Sequence, residues 1–314
     1  LKLKLMIKNG SYLLKKLNFF KTLFLSFLCF IFFNGCKSLP QASFVEPLNL
    51  LDKESFFYVS IPSQVDPELI NIILLNNVEA LSQKDAQTIS SRIQHVYCGL
   101  IKNRQGTQIQ ASIQADVPFS FIPKVFSKKN GWISKPIIIK NQERQYVSYS
   151  NNSIDIAFPS SNIVCLGRGL PYMINTYDVL AHEPVKEITE PNANVNKSEL
   201  PDELYDYLLN ATDEIRFYAN KPQSFLSVLT GANLDLKLVQ VSGSFKKKKK
   251  HTSQYILELN FDFKNEKYLR AGKGLLSLAF GLANGQTEVI ENTKLVVKDI
   301  RIKKEQLYKI LTVG

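Results

Sequence analysis

"LDLKLVQVSGSF" (Leu234–Phe245) and "SQYILELNFDF" (Ser253–Phe263) each alternate apolar and polar residues, with a lysine-rich turn between them. A period of two over this length predicts two half-buried strands, and the turn makes them an antiparallel hairpin. Before the hairpin, "DEIRFYANKPQSFLSVLTG" (Asp213–Gly231) reads as a strand meeting a helix-starting proline, with Gly231 as the helix C-cap. After it come a long helix, "NEKYLRAGKGLLSLAFGLANG" (Asn265–Gly285), and a strand, "TKLVVKDIRI" (Thr293–Ile302). An amphipathic segment, "KKEQLYKILT" (Lys303–Thr312), closes the chain.

The preceding part of the chain repeats this order. "SFFYVSIP" (Ser55–Pro62) is a strand rich in aromatic and β-branched residues, and Asp66 and Pro67 then start the helix "PELINIILLNN" (Pro67–Asn77). A second helix is expected over "SQKDAQTISSRIQHVYCGL" (Ser82–Leu100), where Ala86, Ile89, Ile93 and Val96/Tyr97 stand at helical spacing. Next come an alternating strand (107–117), a short helical stretch, "FIPKVFSKKNG" (Phe121–Gly131), and two strands, "RQYVSYS" and "SIDIAFP", joined at Asn151–Asn152. The fold class predicted is therefore α+β: two similar units, 51–181 and 204–314, each with helices over one face of a mostly antiparallel sheet. The connector 182–203 is polar, carries three prolines and reads as the linker. At 45% hydrophobic residues, the chain has enough apolar side chains for a sizeable core.

Compartment follows from "KTLFLSFLCFIFFNGCKSLPQ" (Lys21–Gln41). Lys2, Lys4, Lys8, Lys15, Lys16 and Lys21 precede an uncharged run of 12 residues, Thr22–Phe33, and no acidic residue occurs before Glu46. A bilayer-spanning helix needs about 20 apolar residues and a signal-peptide core roughly 7–15, so 1–35 reads as a secretory signal. "FNGC" resembles the lipobox that ends bacterial lipoprotein signals, with Gly35 at −1 and Cys36 as the acylated residue. Phe33 and Asn34 differ from the common Leu and Ala/Ser. An ordinary signal with a stray cysteine, or an uncleaved anchor, is the alternative. Residues 36–50 are then a lipidated tether. Six of the 39 Lys+Arg lie before Cys36, leaving 33 against 28 Asp+Glu, so the whole-chain charge of +11 falls to +5 and a nucleic-acid partner is not expected.

Catalytic and metal chemistry finds no motif. His95, His182 and His251 stand far apart, and "HEPVKE" is not HExxH. "CLGRG" (Cys165–Gly169) lacks a nucleotide-loop pattern, and no Gly-x-Ser-x-Gly elbow occurs. A non-enzyme with no cofactor and no metal is expected. Cys98 and Cys165 can pair in an oxidising compartment or stand as buried small hydrophobes.

Two features point to binding. Lys246, Lys247, Lys248, Lys249 and Lys250 form a run that repels itself and belongs at a solvated hairpin tip. It can meet anionic headgroups or simply solubilise the turn. "GLLSLAFGLAN" (Gly274–Asn284) is uncharged, with Lys267, Arg270 and Lys273 just before it, and "LINIILL" (Leu69–Leu75) is similarly apolar. Either can lie in a membrane interface or pack as core.

With "FNGC", the strand-proline-helix openings and "GKGLLSLAFGLANG", the chain resembles treponemal and related spirochaetal membrane lipoproteins. That resemblance implies an α/β body with amphipathic helices that insert into the inner leaflet of the outer membrane. It also implies acylation at Cys36 and lipid contacts at Leu275, Leu276 and Phe280. The expected location is the cell membrane or outer membrane, lipid-anchored, with the body facing the periplasm. Two functions are expected: a body that binds or perturbs membrane lipid, or a tethered adaptor that binds another envelope protein.

Overall fold

The computed structural model describes residues 44–312 apart from 78–81, 104–105, 140–143, 152–153, 168, 183–199, 221, 224, 227–234, 249–253 and 282. Among these residues a single sheet holds twelve strands, every pairing antiparallel. The first half of the chain supplies β1 (Phe57–Pro62), β2 (Ile93–Asn103), β3 (Gly106–Ala115), β4 (Ile133–Ile138), β5 (Gln145–Ser150), β6 (Asp155–Ser160) and β7 (Ile163–Gly167). The second supplies β8 (Ile215–Ala219), β9 (Leu238–Lys247), β10 (Gln254–Phe263), β11 (Gln286–Val289) and β12 (Lys294–Lys303). Their order across the sheet is β11-β12-β10-β9-β8-β1-β2-β3-β7-β6-β5-β4.

The β1/β8 pair stands where the halves meet, with Tyr58 opposite Tyr218 and Val59 opposite Phe217. Outward from it, β1-β2-β3-β7 on one side matches β8-β9-β10-β12 on the other. The repeated element order is therefore a repeated strand order in space, and the sheet runs unbroken through both halves. Most of the expected linker, 183–199, lies outside the described residues.

Seven α-helices are described: α1 (Pro67–Asn77), α2 (Gln83–Ser90), α3 (Ile122–Val125), α4 (Leu170–His182), α5 (Asp202–Leu209), α6 (Glu266–Gly281) and α7 (Lys304–Thr312). The expectation that helices cover one face needs correction. Leu69 of α1, Ile122 of α3, Leu276 of α6 and Leu307 of α7 share one core with Val59 and Phe261. Leu170 and Ile174 of α4 and Tyr205 and Leu208 of α5 share a second core with Tyr58 and Tyr97 on the other face. β1 is buried at every residue because both faces are covered there, which is why "FYVSIP" reads as a continuous apolar run. β10, covered on one face, keeps a strict alternation from Gln254 to Phe263.

Two further expectations change. The tether expected to extend to residue 50 is shorter: Pro47–Leu50 form a 3₁₀ turn, and Val45, Leu48, Leu50 and Leu51 are buried in the second core. Each buried Leu or Val contributes roughly 1.5–3 kcal/mol, more than a loose tether would forgo. The helix expected over 82–100 ends at Ser90, after Ser82 caps it through Asp85 N at 3.1 Å. From Ile93 the chain is β2, pairing with β1 and β3. Short apolar runs fit either period, and here the sheet partners decide.

Candidate functional site

α6 lies across the sheet with Leu269, Gly272, Leu276 and Phe280 turned inward. Steps of three and four residues align these four on one face. Gly272 is needed there: a Cβ would stand 2.4 Å from the Phe263 ring. Leu276 is 0% and Phe280 5% exposed, so these two expected lipid contacts are core residues. Leu275 is 49% and Leu278 76% exposed, and Tyr268 shares their side of the helix. α6 thus buries one apolar face and leaves a second apolar stripe outside. Its polar side carries Lys267, Lys273 and an Arg270–Glu266 pair, and Ser277 Oγ donates to Thr287 Oγ1 at 3.1 Å. In α1, Leu69 and Ile70 are buried and Ile72 to Leu75 half-buried, so the other apolar helix is mostly core.

The lysine run is less free than its sequence implies. Lys246 pairs with Asp213 at 3.3 Å and Lys247 with the buried Asp66 at 3.5 Å. Both lie at the end of β9, and Lys248 N donates to Gln254 O as the hairpin closes. Lys249 and Lys250 lie outside the described residues, as does Cys36.

A segment that the sequence reading passed over connects β3 to β5 along the chain and includes β4, the strand at the edge of the sheet. Phe119, Ile133, Ile138 and the neighbouring Val147 are exposed, as are Lys124, Lys128, Lys129 and Lys135, but alternation along β4 sets Ile133 and Lys135 on the opposite side of the strand from Ile138 and Val147. The segment has no acidic residue from Val117 to Gln142, and that run was a legible signal. Its base is firm: Phe126 meets Trp132 edge-on at 4.8 Å, and Asn130 Nδ2 donates to Lys124 O and Val125 O. Phe126 and Trp132 also wall a cavity of about 90 Å³ with an apolar surface, with Ile73 and Leu74 of α1 and Ile89 of α2 among its other walls.

Cys98 and Cys165 are free thiols. Cys98 shares its cross-strand row with Ala111 and Leu166, whereas Cys165 sits in the row of Ser112 and Tyr97. Adjacent rows point to opposite faces, so of the two alternatives left open by the sequence the unpaired one is found. Burial pushes the Cys98 thiol up to about 12 and raises that of Cys165 as well.

Ser60 and Asp178 are tied into the fold. Ser60 Oγ donates to Leu208 O at 2.7 Å and lies 2.7 Å from His95 Nε2, and burial lowers the His95 pKa to about 4. Asp178, fully buried on α4, accepts from Arg144 Nε at 2.8 Å and Tyr146 Oη at 2.7 Å, with His182 beside it. Among the described residues no group of His, Cys, Asp and Glu could hold a metal ion. No described helix is long and apolar enough to cross a membrane.

No curated protein matches the chain. Three solved structures share its fold: crystal form I of TP0453 (TM-score 0.65, 18% identity, 86% of this chain and 98% of that one); form III (0.62, 18%, 85% and 98%); and form IV (0.60, 19%, 86% and 97%). Residues 42–308 match the family described as outer membrane-associated lipoprotein TP0453. With a twelve-stranded α+β body of the same fold and a family match over most of its length, the chain belongs to the TP0453 family of outer membrane-associated lipoproteins.

Proposed function

We propose that this lipoprotein is held by acyl chains on Cys36, faces the periplasm, and uses its folded body to bind the bilayer surface. The observation that carries the reading is α6, whose Leu275 and Leu278 remain exposed although its other apolar face is already packed. A soluble helix has no need of a second apolar stripe, while a helix lying in a membrane interface does. One acyl chain alone binds a membrane only marginally, and stable attachment takes a second signal. With several chains on Cys36 the anchor would be firm by itself, and the body's own contact would then orient it.

Flotation tests this with the non-acylated chain 37–314, which keeps the whole compact unit beginning at Phe44. Flotation with phospholipid vesicles supports the reading. Sedimentation under every lipid and salt condition would leave all anchoring to Cys36 and favour the other role, a tethered adaptor for an envelope protein.

A further inference from the structure

We infer that a groove beside the β4–β5 strand pair is a binding site for a small anionic molecule with a flat apolar body; the inference goes beyond the bilayer reading and does not depend on it. The groove, of about 500 Å³, lies between the α3 segment and the two strands, and Pro123, Phe126, Lys128, Ser134, Val147 and Tyr149 line it. Ser134 stands opposite Tyr149 and Pro136 opposite Val147, so Ser134, Val147 and Tyr149 share one side of the strand pair. Lys135 belongs to the other side and takes no part. Clefts of roughly 300–1,000 Å³ with an apolar lining and a few polar groups are the usual form of a small-molecule site. The walls of this one are already ordered. Phe126 meets Trp132 at 4.8 Å and Tyr149 at 5.6 Å between ring centres, and Phe158 stands 6.2 Å from Tyr149. Gly131, with a φ of 81°, turns the chain after Lys128 and Lys129, and Asn130 Nδ2 ties that turn to Lys124 O and Val125 O. A preformed wall keeps the ordering cost of binding low.

The polar groups state the chemistry of the ligand. Ser127, Lys128, Ser134 and Tyr149 all line the groove, and among the described residues nothing engages their hydroxyl or ammonium groups. No acidic residue occurs from Val117 to Gln142, so Lys124, Lys128 and Lys129 give the approach a single sign of charge. That draws in an anion and discriminates against a cation. An alkyl chain would cover the three hydroxyls without offering them an acceptor, whereas a carboxylate, sulfonate or phosphate offers several. Beside the anionic group, the Phe126 and Tyr149 rings, Pro123 and Val147 suit a flat apolar ring.

The experiment titrates the chain 37–314, without lipid, with anilinonaphthalenesulfonate and with phenylnaphthylamine, which has the same rings and no sulfonate. Probe fluorescence and quenching of Trp132, the sole tryptophan and a wall of the groove, follow binding. The wild-type chain is expected to bind one sulfonate probe, at least about tenfold more tightly than the neutral one. Lys128→Gln should remove about that factor for the sulfonate probe and leave the neutral probe unchanged. Val147→Phe, at a position 46% exposed, fills the groove and should weaken both probes with an unchanged circular dichroism spectrum. Tyr149→Phe keeps the ring and should weaken only the sulfonate probe. L275D/L278D on α6 should leave the sulfonate affinity as it is. Wild-type affinity in both Lys128→Gln and Val147→Phe, or loss of binding in L275D/L278D alone, would overturn the inference while leaving the bilayer reading intact. A chain that binds neither probe would overturn it as well. A dimer in sedimentation velocity that Val147→Phe dissociates would also overturn it, by giving the groove to a second copy of the chain.

Discussion

The phenol of Tyr255, in the middle of the second half, donates its hydrogen to Asp66 at the start of α1 in the first. Asp66 is 1% exposed, and Lys247 and Lys304 each stand 3.5 Å from one of its oxygens. Burial and the neighbouring carboxylate both push the Tyr255 pKa upward, so the phenol stays protonated and remains the donor. One carboxylate thus joins β10, the lysine hairpin and α7 to the β1–α1 junction.

Removing that carboxylate would leave two lysines and a phenol facing an apolar core. Asp66→Ala is expected to cost about 3–5 kcal/mol, the usual penalty for stranding buried partners. Tyr255→Phe keeps the ion pairs and should cost only about 1–3 kcal/mol. Urea unfolding followed by circular dichroism measures both. Equal effects would mean that the ion pairs add nothing.

His95 gives the fold a pH dependence with a definite sign. Its pKa, about 4 in the folded chain, lies below the ordinary value of 6.5, because burial against Tyr97 and Ser60 disfavours the charged ring. The unfolded chain therefore binds the proton more readily. Stability from this group is complete above about pH 6.5 and is lost as pH falls from there towards 4. Unfolding midpoints should decline over that window, and His95→Gln should flatten the decline. A curve unchanged by the substitution would assign the acid sensitivity elsewhere.

The order of elements was readable because the second half obeys simple periods: β10 alternates without a break, and α6 begins after Lys264 and Asn265. The first half was harder where the two faces compete. β2 is covered on both faces near β1, so Ile93, Val96 and Tyr97 lost the alternation that marks a strand and fitted a helix instead. α4, "LPYMINTYDVLAH", escaped notice because its one charge before His182, Asp178, is buried and satisfied by Arg144 and Tyr146 from β5 and the residues before it. For the site, α6 was legible as apolar, but the sequence could not divide its leucines. Adjacent Leu275 and Leu276 differ only by the rotation of one residue about the helix, and the sheet chooses between them.

That division is testable by paired substitutions. Leu276→Ala removes a fully buried side chain between α6 and the sheet and is expected to cost about 2–5 kcal/mol. Leu275→Ala, half-exposed, should cost well under half as much. Vesicle binding should order the other way for the folded proteins, with Leu275→Ala the weaker binder. If Leu275 proves as critical to stability as Leu276, the outer stripe is covered in solution and α6 has no free apolar face.

Two glycines of α6 make the last comparison, because one helix offers both a filled and an empty neighbourhood. At Gly272 an added methyl would press on the Phe263 ring, with a second ring carbon at 2.8 Å, and the ring is itself locked in the core. The gain in helix propensity, about 1 kcal/mol, is outweighed by overpacking of about 1–3 kcal/mol, so Gly272→Ala should be neutral to destabilising. At Gly274 nothing lies within 4 Å, and Gly274→Ala should stabilise by about 0.4–1 kcal/mol. Thermal midpoints of the two variants should therefore differ in favour of Gly274→Ala. Equal stabilisation by both would mean that α6 sits further from Phe263 than the close packing at Gly272 requires, and that its hold on the sheet is loose.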